Sequence, residues 1–241
     1  MRCARKTVML VALATALVMS TAAVQADMVN GGFETGDFAG WSTQHSTWAS
    51  GLSVTGYPAP YEGNYLATLE SMPLSPADGY SFCSLSQTFW AEAGDVSSFM
   101  VIYHVIAQSY VWESHYFPED PPIQHYVTAE ASAMVIFTNT QTDEWECMPL
   151  SDAWAGGGEN MGSFQRDWTN MSHQFVSPGM YQVNYRAEAR LFGEFPEYPP
   201  DPMACYARSW MGLDDVQIIP EPATLSLLAL GGLAVLRQRR R

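Results

Sequence analysis

The carboxylates of this chain are the side chains that could take part in the most kinds of catalysis. Glu119 and Asp120 are adjacent, and Asp143, Glu144 and Glu146 follow one another closely. Glycoside hydrolysis uses two carboxyl groups held about 5–10 Å apart, one of them as the acid. Residues 27–219 hold 24 acidic side chains, however, so such pairs arise readily by chance. A hydrolase is therefore kept as an alternative, and the sequence predicts a protein that is not an enzyme.

Aromatic side chains are concentrated in long stretches that lack a regular pattern. We predict three long irregular loops, at Ser109–Gln124, Asn139–Gln165 and Glu194–Cys205. Long loops in a domain are often functional. A sugar ring stacks on an exposed aromatic face while nearby polar groups bond its hydroxyls. The alternative is that each ring packs its own loop onto the body. The candidate ligand-binding residues are Tyr110, Trp112, Tyr116, Trp145 and Trp154.

Histidine, cysteine and glycine patterns exclude several other chemistries. The five histidines form no His-Glu-x-x-His motif, and His104 lies in an apolar run that predicts a core residue. The sequence contains neither a Gly-x-Ser-x-Gly motif nor a phosphate-binding glycine loop. Cys83, Cys147 and Cys205 follow the N-terminal leader, so three single pairings are open. A Cys147–Cys205 disulfide is predicted because both residues lie in the irregular stretches.

Charge separates the body of the chain from its two ends. The whole sequence has a formal charge of −14, but residues 27–219 contain four arginines and no lysine, which gives this stretch −20. Such acidity argues against nucleic acid as a partner. The remaining basic residues lie within the first six and the last five positions.

The N-terminal end has the layout of a secretory leader. Three positive charges within Met1–Lys6 precede the apolar run Thr7–Met19, and small residues stand at Val24 and Ala26. This order is typical of a signal peptide, which predicts cleavage after Ala26 and a mature body over 27–219. Export places the cysteines in a compartment where disulfides persist.

The C-terminal end has three parts in a fixed order. Pro220, Glu221 and Pro222 are followed by an apolar run over 223–236 and an arginine cluster at the terminus. As a short transmembrane helix the run would span about 21 Å of a roughly 30 Å hydrocarbon core. The order resembles the PEP-CTERM sorting signal of Gram-negative bacteria, here over 220–241. That resemblance implies processing by an exosortase, display at the cell surface, and a place in the exopolysaccharide matrix of a biofilm.

Between the two ends, the hydrophobic pattern is that of strands. Tyr181–Leu191 and Val127–Phe137 alternate apolar and polar residues, which is typical of half-buried strands. Phe99–Ala107 is continuously apolar and predicts a strand buried on both faces. Ser177-Pro178-Gly179 predicts a hairpin turn. The remaining predicted strands are Tyr65–Leu69, Ser84–Trp90, Trp168–Val176 and Leu213–Ile219. An all-β sandwich follows.

A second resemblance lies at the two edges of the body. Asn30-Gly31-Gly32-Phe33-Glu34 and Leu213-Asp214-Asp215-Val216 resemble the opening and closing segments of galactose-binding-like jelly rolls, among them carbohydrate-binding modules. The resemblance implies a jelly-roll sandwich. It also implies a structural calcium ion held by Glu34 with Asp214 or Asp215, where the two ends of the body meet. Separately, the glycines of Gly36–Trp41 permit a tight turn, which predicts Trp41 in the core.

The sequence therefore predicts an exported, exosortase-sorted surface or matrix protein that is not an enzyme and binds polysaccharide. Two alternatives remain open. One is a structural matrix protein without a specific ligand, whose acidity serves solubility and cation cross-linking. The other is a glycoside hydrolase or related hydrolase.

Overall fold

The described part of the chain is built from strands. A computed structural model describes residues 28–46, 50–73, 79–114, 122–156, 161–193 and 206–220, and these ranges contain eleven strands and no helix. The strands are β1 (Ser42–His45), β2 (Ser50–Thr55), β3 (Leu66–Ser71), β4 (Tyr80–Ala91), β5 (Val96–Gln108), β6 (Tyr110–Ser114), β7 (Ile123–Asn139), β8 (Trp145–Ala155), β9 (Met161–Gln174), β10 (Gly179–Gly193) and β11 (Tyr206–Ile219).

Two antiparallel sheets pack face to face. The front sheet has the order β1-β4-β10-β7, and both β6 and β8 pair with the far edge of β7. The back sheet has the order β2-β3-β11-β5-β9. Apart from β6, β7 and β8, which follow one another in the front sheet, the chain passes from one sheet to the other at each step from β3 to β11. The predicted all-β jelly-roll sandwich is confirmed.

Alternation along the two central front strands is also confirmed. In β10 the odd-numbered residues from Tyr181 to Leu191 are buried, and in β7 those from Val127 to Phe137 are buried. Their polar neighbours point to the outer surface of the front sheet, which we call the front face. Since side chains alternate with period two, the core pattern also fixes which polar residues share that face.

Strand β5 is buried on both faces over only part of its length. Burial is continuous over 97–101, but from Ile102 onward it alternates, and His104 is half-exposed with its Nε2 3.4 Å from Ser163 Oγ. The prediction of a core histidine at His104 is therefore wrong. Met100, the register partner of Asp214, is buried at the end of β5, where the backbone N–H of Glu62 bonds the Asp214 carboxylate. The segment near residue 62 is therefore held against β11 beside Met100.

Two of the predicted loops contain strands. Ser109–Gln124 includes β6, and Asn139–Gln165 includes all of β8 and the start of β9, so these predictions are wrong over those parts. In the third, Glu194–Cys205, all residues lie outside the described ranges. Ser177-Pro178-Gly179 does form a turn, but it joins β9 of the back sheet to β10 of the front sheet, so it makes no hairpin.

The core is centred on aromatic rings that join the two sheets. Tyr185 of β10 lies fully buried, 5.1 Å from the Phe99 ring centroid and 6.0 Å from that of Trp41. Phe33 continues the cluster at 5.5 Å from Trp41. The predicted core position of Trp41 is confirmed. The two ends of the body also meet, because the N–H of Val216 donates to the Gly31 carbonyl at 3.0 Å.

His173 gives the fold a pH-dependent contact between the sheets. Its ring stacks on Phe137 at 4.2 Å between centroids, and its Nδ1 lies 3.4 Å from a Glu146 oxygen. Burial lowers the pKa of His173 below the ordinary 6.5, and the Glu146 charge only partly opposes this. Between the lowered pKa of folded His173 and 6.5, the unfolded chain binds more protons at this residue than the folded chain does. The free energy of unfolding therefore falls as the pH drops below 6.5.

We therefore expect His173→Gln to flatten the decline of the melting temperature between neutral and mildly acidic pH. Thermal unfolding of both proteins across that range measures the difference. His45→Gln is the matched control because His45 is exposed on β1, and it should keep the wild-type slope. An unchanged slope in His173→Gln would show that other groups cause the acid sensitivity.

Candidate functional site

The two tryptophans of β8 lie on the front face because the strand contains a bulge. Ala133 of β7 pairs with Ser151, whereas the next residue, Met134, pairs with Pro149, so Leu150 is an extra residue. Trp145 and Trp154 differ in parity and would point to opposite faces of a regular strand. The bulge brings both to the front face, where they are 68% and 59% exposed.

An open cavity of about 450 Å³ adjoins Trp154 on this face. Two rows of side chains cross it from strand to strand: Glu188, Ser132 and Asp152 in one, and Arg190, Glu130 and Trp154 in the other. The residues lining it are Glu130, Ala131, Ser132, Asp152, Ala153, Trp154, Glu188 and Arg190. The cavity thus combines one large aromatic face with carboxylate, hydroxyl and guanidinium groups.

Gly156 allows the indole of Trp154 to lie close to the sheet. A Cβ atom at position 156 would come 2.6 Å from Cζ2 of Trp154 and 3.3 Å from Cγ2 of Thr128. Glycine therefore leaves the space that the ring needs, and more than half of the tryptophan surface stays open to solvent. An aromatic side chain in this arrangement is a platform on which a planar or ring-shaped ligand can stack.

One wall of the cavity is fixed by ion pairs. Glu188 forms a close ion pair with Arg186, lies 3.4 Å from Arg190 Nη2, and accepts a hydrogen bond from the Tyr80 hydroxyl at 2.9 Å. The guanidinium groups lie over aromatic rings, Arg186 over Phe82 at 4.5 Å and Arg190 over Tyr80 at 4.7 Å. Burial lowers the pKa of Arg186, but the hydrogen bond to Tyr80 and the charge of Glu188 outweigh burial, so the pKa is raised above its ordinary value.

Glu130 and Asp152 differ from Glu188 in having no internal partner. Within the described ranges neither carboxylate makes a hydrogen bond or an ion pair. Glu130 is the register partner of Trp154, and Asp152 stands two residues before Trp154 on the same face. Both carboxylates are therefore free to accept bonds from a ligand that rests on the indole.

The other predicted binding aromatics are only partly placed. Tyr110 and Trp112 belong to β6, in register with Val127 and His125, at the end of the front sheet beyond the cavity. Their side chains lie outside the described atoms, and Tyr116 lies outside the described residues. The structure thus brings Trp145 and Trp154 to one face, and the positions of the other rings stay predictions.

The predicted hydrolytic carboxylates that the structure describes do not line this cavity. Asp143 and Glu144 stand in the turn between β7 and β8, and Glu146 lies beside His173. Glu119 and Asp120 lie outside the described residues. Sequence reasoning missed Glu130, Glu188 and Arg190 instead. All three were readable as outward-facing positions of β7 and β10, but only the strand register shows that they are neighbours.

A second cavity, of about 340 Å³, contains the predicted calcium ligands. It is lined by Gly32, Glu34, Glu62, Gly63, Asp214 and Asp215. The oxygens of Glu34 accept the backbone N–H groups of Asn64 and Tyr65 at 2.8 and 3.1 Å. Asp214 accepts those of Glu62 and Asp215 at 3.0 and 2.7 Å. The two carboxylates therefore tie residues 62–65 to the ends of the body.

Only part of a calcium donor set is present in this arrangement. Backbone donors lower the pKa of Glu34, while burial raises that of Asp214 despite its N–H partners. No group of three acidic, histidine or cysteine side chains within the described ranges converges on one point. Glu34, Asp214 and Asp215 border the same space, but calcium takes six to eight oxygens, so backbone carbonyls and water would have to supply most of them.

The cysteines stand in unlike environments. Burial raises the pKa of the Cys83 thiol to about 12, so this group is inert at neutral pH. Cys147 is an exposed thiol on β8, and burial against the sheet and the charge of Glu188 raise its pKa. Cys205 lies outside the described residues, so the Cys147–Cys205 disulfide stays a prediction.

Comparison with protein families identifies the C-terminal end. Residues 219–241 match the PEP-CTERM protein-sorting motif, which confirms the predicted sorting signal. The motif implies exosortase processing and export to the cell surface or extracellular space in Gram-negative bacteria. The leader 1–26, the predicted helix 223–236 and most of the motif lie outside the described residues. Within the described ranges no helix is long and apolar enough to cross a membrane.

Comparison with solved structures finds β-sandwich domains at low identity. A carbohydrate-binding module in complex with β-1,4-galactotriose is 16% identical, with a TM-score of 0.36 over 81% of this chain and 99% of its own. A cleaved adhesin domain of Lys-gingipain from Porphyromonas gingivalis is 14% identical, with a TM-score of 0.39 over 80% and 99%. A xylan-binding domain from Paenibacillus barcinonensis is 15% identical, with a TM-score of 0.31 over 79% and 97%. No curated protein matches the chain.

Proposed function

We propose that the chain, exported and sorted through its PEP-CTERM motif, is a non-enzymatic surface or matrix protein that binds polysaccharide on its front face. The observation that carries the proposal is the exposed indole of Trp154 beside a cavity lined by free carboxylates, a hydroxyl and a guanidinium group. Sugar rings present an apolar face and a rim of hydroxyls, and this cavity offers complementary groups for both.

The front face is also rigid enough to hold a ligand in a defined place. Its groups stand on paired strands, and Glu188 fixes Arg186 and Arg190 before any ligand arrives. A preordered surface binds with less loss of side-chain entropy than a mobile loop. Trp145 lies on the same face about 26 Å along the strand from Trp154, since the two tryptophans are eight β7 positions apart. That span suits an extended chain better than a single sugar.

We further propose that the second cavity takes a structural calcium ion held by two carboxylates, Glu34 and Asp214, beside Asp215, with backbone carbonyls and water as its other ligands. The support is that these carboxylates border one space and that Asp214 is almost completely buried there. The ion would add to the backbone bonds that already hold the ends of the body. It would not lie at the front face, so polysaccharide binding and calcium binding are separable.

A glycan array probed with the purified exported protein, with and without calcium, tests polysaccharide binding. We expect saturable binding to one class of polysaccharide, and Trp154→Ala to weaken it about tenfold or more through lost stacking area. The melting temperature should hardly change, because the indole is largely exposed. Isothermal titration of the best glycan measures the effect.

Trp90→Ala is the matched control. Trp90 is also on the front sheet, but its indole N–H is held by Glu92 at 2.8 Å and it lies away from the cavity. It should bind as the wild type does. A folded protein that binds no glycan would favour a structural matrix protein without a ligand. A large loss of stability in Trp154→Ala would show that the ring packs the sheet.

A further inference from the structure

The cavity beside Trp154 has carboxylates that its own cations do not neutralise. Arg186 and Arg190 are both committed to Glu188, which also takes the Tyr80 hydroxyl. The other two arginines of the body are on the back sheet, where Arg208 pairs with Glu70 at 2.8 Å and Arg166 belongs to β9. Among the described residues, Glu130, whose register partner is Arg190, and Asp152 make no ion pair or hydrogen bond, so their charges face the cavity.

These two carboxylates flank the aromatic platform. Glu130 stands directly across from Trp154, which places their Cβ atoms about 5 Å apart. Asp152 is two residues away along the same face of β8, at about 7 Å. An indole face with carboxylates on two sides is the arrangement that attracts an ammonium group, through cation–π attraction and charge-assisted hydrogen bonds.

We propose that the polysaccharide bound at this cavity carries free amino groups, as in a polymer of glucosamine. The inference rests on the proposed function and narrows its substrate class. A protonated sugar amine bonds Glu130 or Asp152 while its ring stacks on Trp154. Neutral sugars would leave both carboxylates without a charged partner, and polymers of uronic acids or sulfated sugars would bring like charges together.

The charge of the whole body acts in the same direction. Residues 27–219 carry −20 and no lysine, so the long-range field draws polycations in and repels polyanions. Such attraction is screened by salt, whereas stacking on Trp154 is not. Binding of an amino-sugar polymer should therefore weaken with ionic strength but persist in part at high salt.

Titration of the full exported protein with β-1,4-linked glucosamine oligomers tests the inference. The same oligomers after complete N-acetylation are the matched ligand, since they keep the ring and lose the charge. We expect the free amines to bind at least about tenfold more tightly. Asp152→Asn and Glu130→Gln should each weaken binding of the amine form about tenfold and leave the acetylated form unchanged.

Asp167→Asn is the control for net charge, because Asp167 is exposed on β9 of the back sheet. It should bind both oligomers as the wild type does. Equal or tighter binding of the acetylated oligomers would overturn the amino-sugar inference and leave the proposed function standing. Failure to bind any polysaccharide would overturn the proposed function itself. Binding of polylysine that matches that of the amine oligomers and ignores Trp154→Ala would also overturn the inference, since it would reveal only a general acidic surface.

Discussion

Deletion of residues 220–241 is expected to abolish sorting to the cell surface while the body is still exported. The segment holds almost all of the matched sorting motif, and strand β11 ends at Ile219, just before it. The described sandwich therefore loses none of its strand pairings. Fractionation into periplasm, surface and medium, followed by immunoblotting, should show the truncated body only in the periplasm or the medium.

Smaller changes separate the parts of the signal. Alanine at Pro220, Glu221 and Pro222 together should block processing and leave an unprocessed, membrane-associated form. Gln238→Ala lies within the arginine cluster but removes no charge, and it should be sorted normally. If the truncated protein fractionates as the intact one does, the segment does not sort this protein.

Replacement of Asp214 by alanine is expected to cost roughly 2–5 kcal/mol of unfolding free energy. Asp214 is 1% exposed and accepts the backbone N–H groups of Glu62 and Asp215. Alanine would take the acceptor from both part-buried donors, at about 1–3 kcal/mol for each that water does not reach. Asp214→Asn keeps one acceptor oxygen and should lose less. Urea unfolding followed by tryptophan fluorescence gives the values, with Asp167→Ala as the exposed control.

The Asp214→Asn variant also tests the calcium proposal. If the ion binds at Glu34 and Asp214, calcium should raise the melting temperature of the wild type by mass action on the folded state. Asp214→Asn should abolish that response even where it folds. A wild-type melting temperature that is the same in calcium and in chelator would overturn the calcium proposal. The backbone hydrogen bonds alone would then hold the two ends of the body together.

Sequence patterns predicted the elements whose burial is one-sided. Alternation over Tyr181–Leu191 predicted β10, because successive side chains of a half-buried strand point alternately to the core and to solvent. Strand β8 was missed for the opposite reason: it contains Pro149, its first half is mostly exposed, and its bulge breaks the period. The turn at Ser177-Pro178-Gly179 was predicted correctly as a turn. Local chemistry cannot tell whether the strands on its two sides pair, and here they belong to different sheets.

The candidate site shows the same division. Trp145 and Trp154 were singled out by residue type, although they were assigned to a loop. Their companions Glu130 and Arg190 come from strands 60 positions apart in sequence, and only the β7–β10 register makes them cross-strand neighbours. Register depends on the whole sheet, so no short motif in the sequence could report it.

The extra residue at Leu150 has a consequence for how this protein can change over time. Loss or gain of a single codon between the two tryptophans of β8 would reverse the facing of one of them. Such length changes are expected to be harmful singly and tolerable only in compensating pairs. Substitutions, by contrast, leave the phase of the strand intact. The front face should therefore diversify by exchange of side chains at constant length, and the length of β8 should change far less often than its residues.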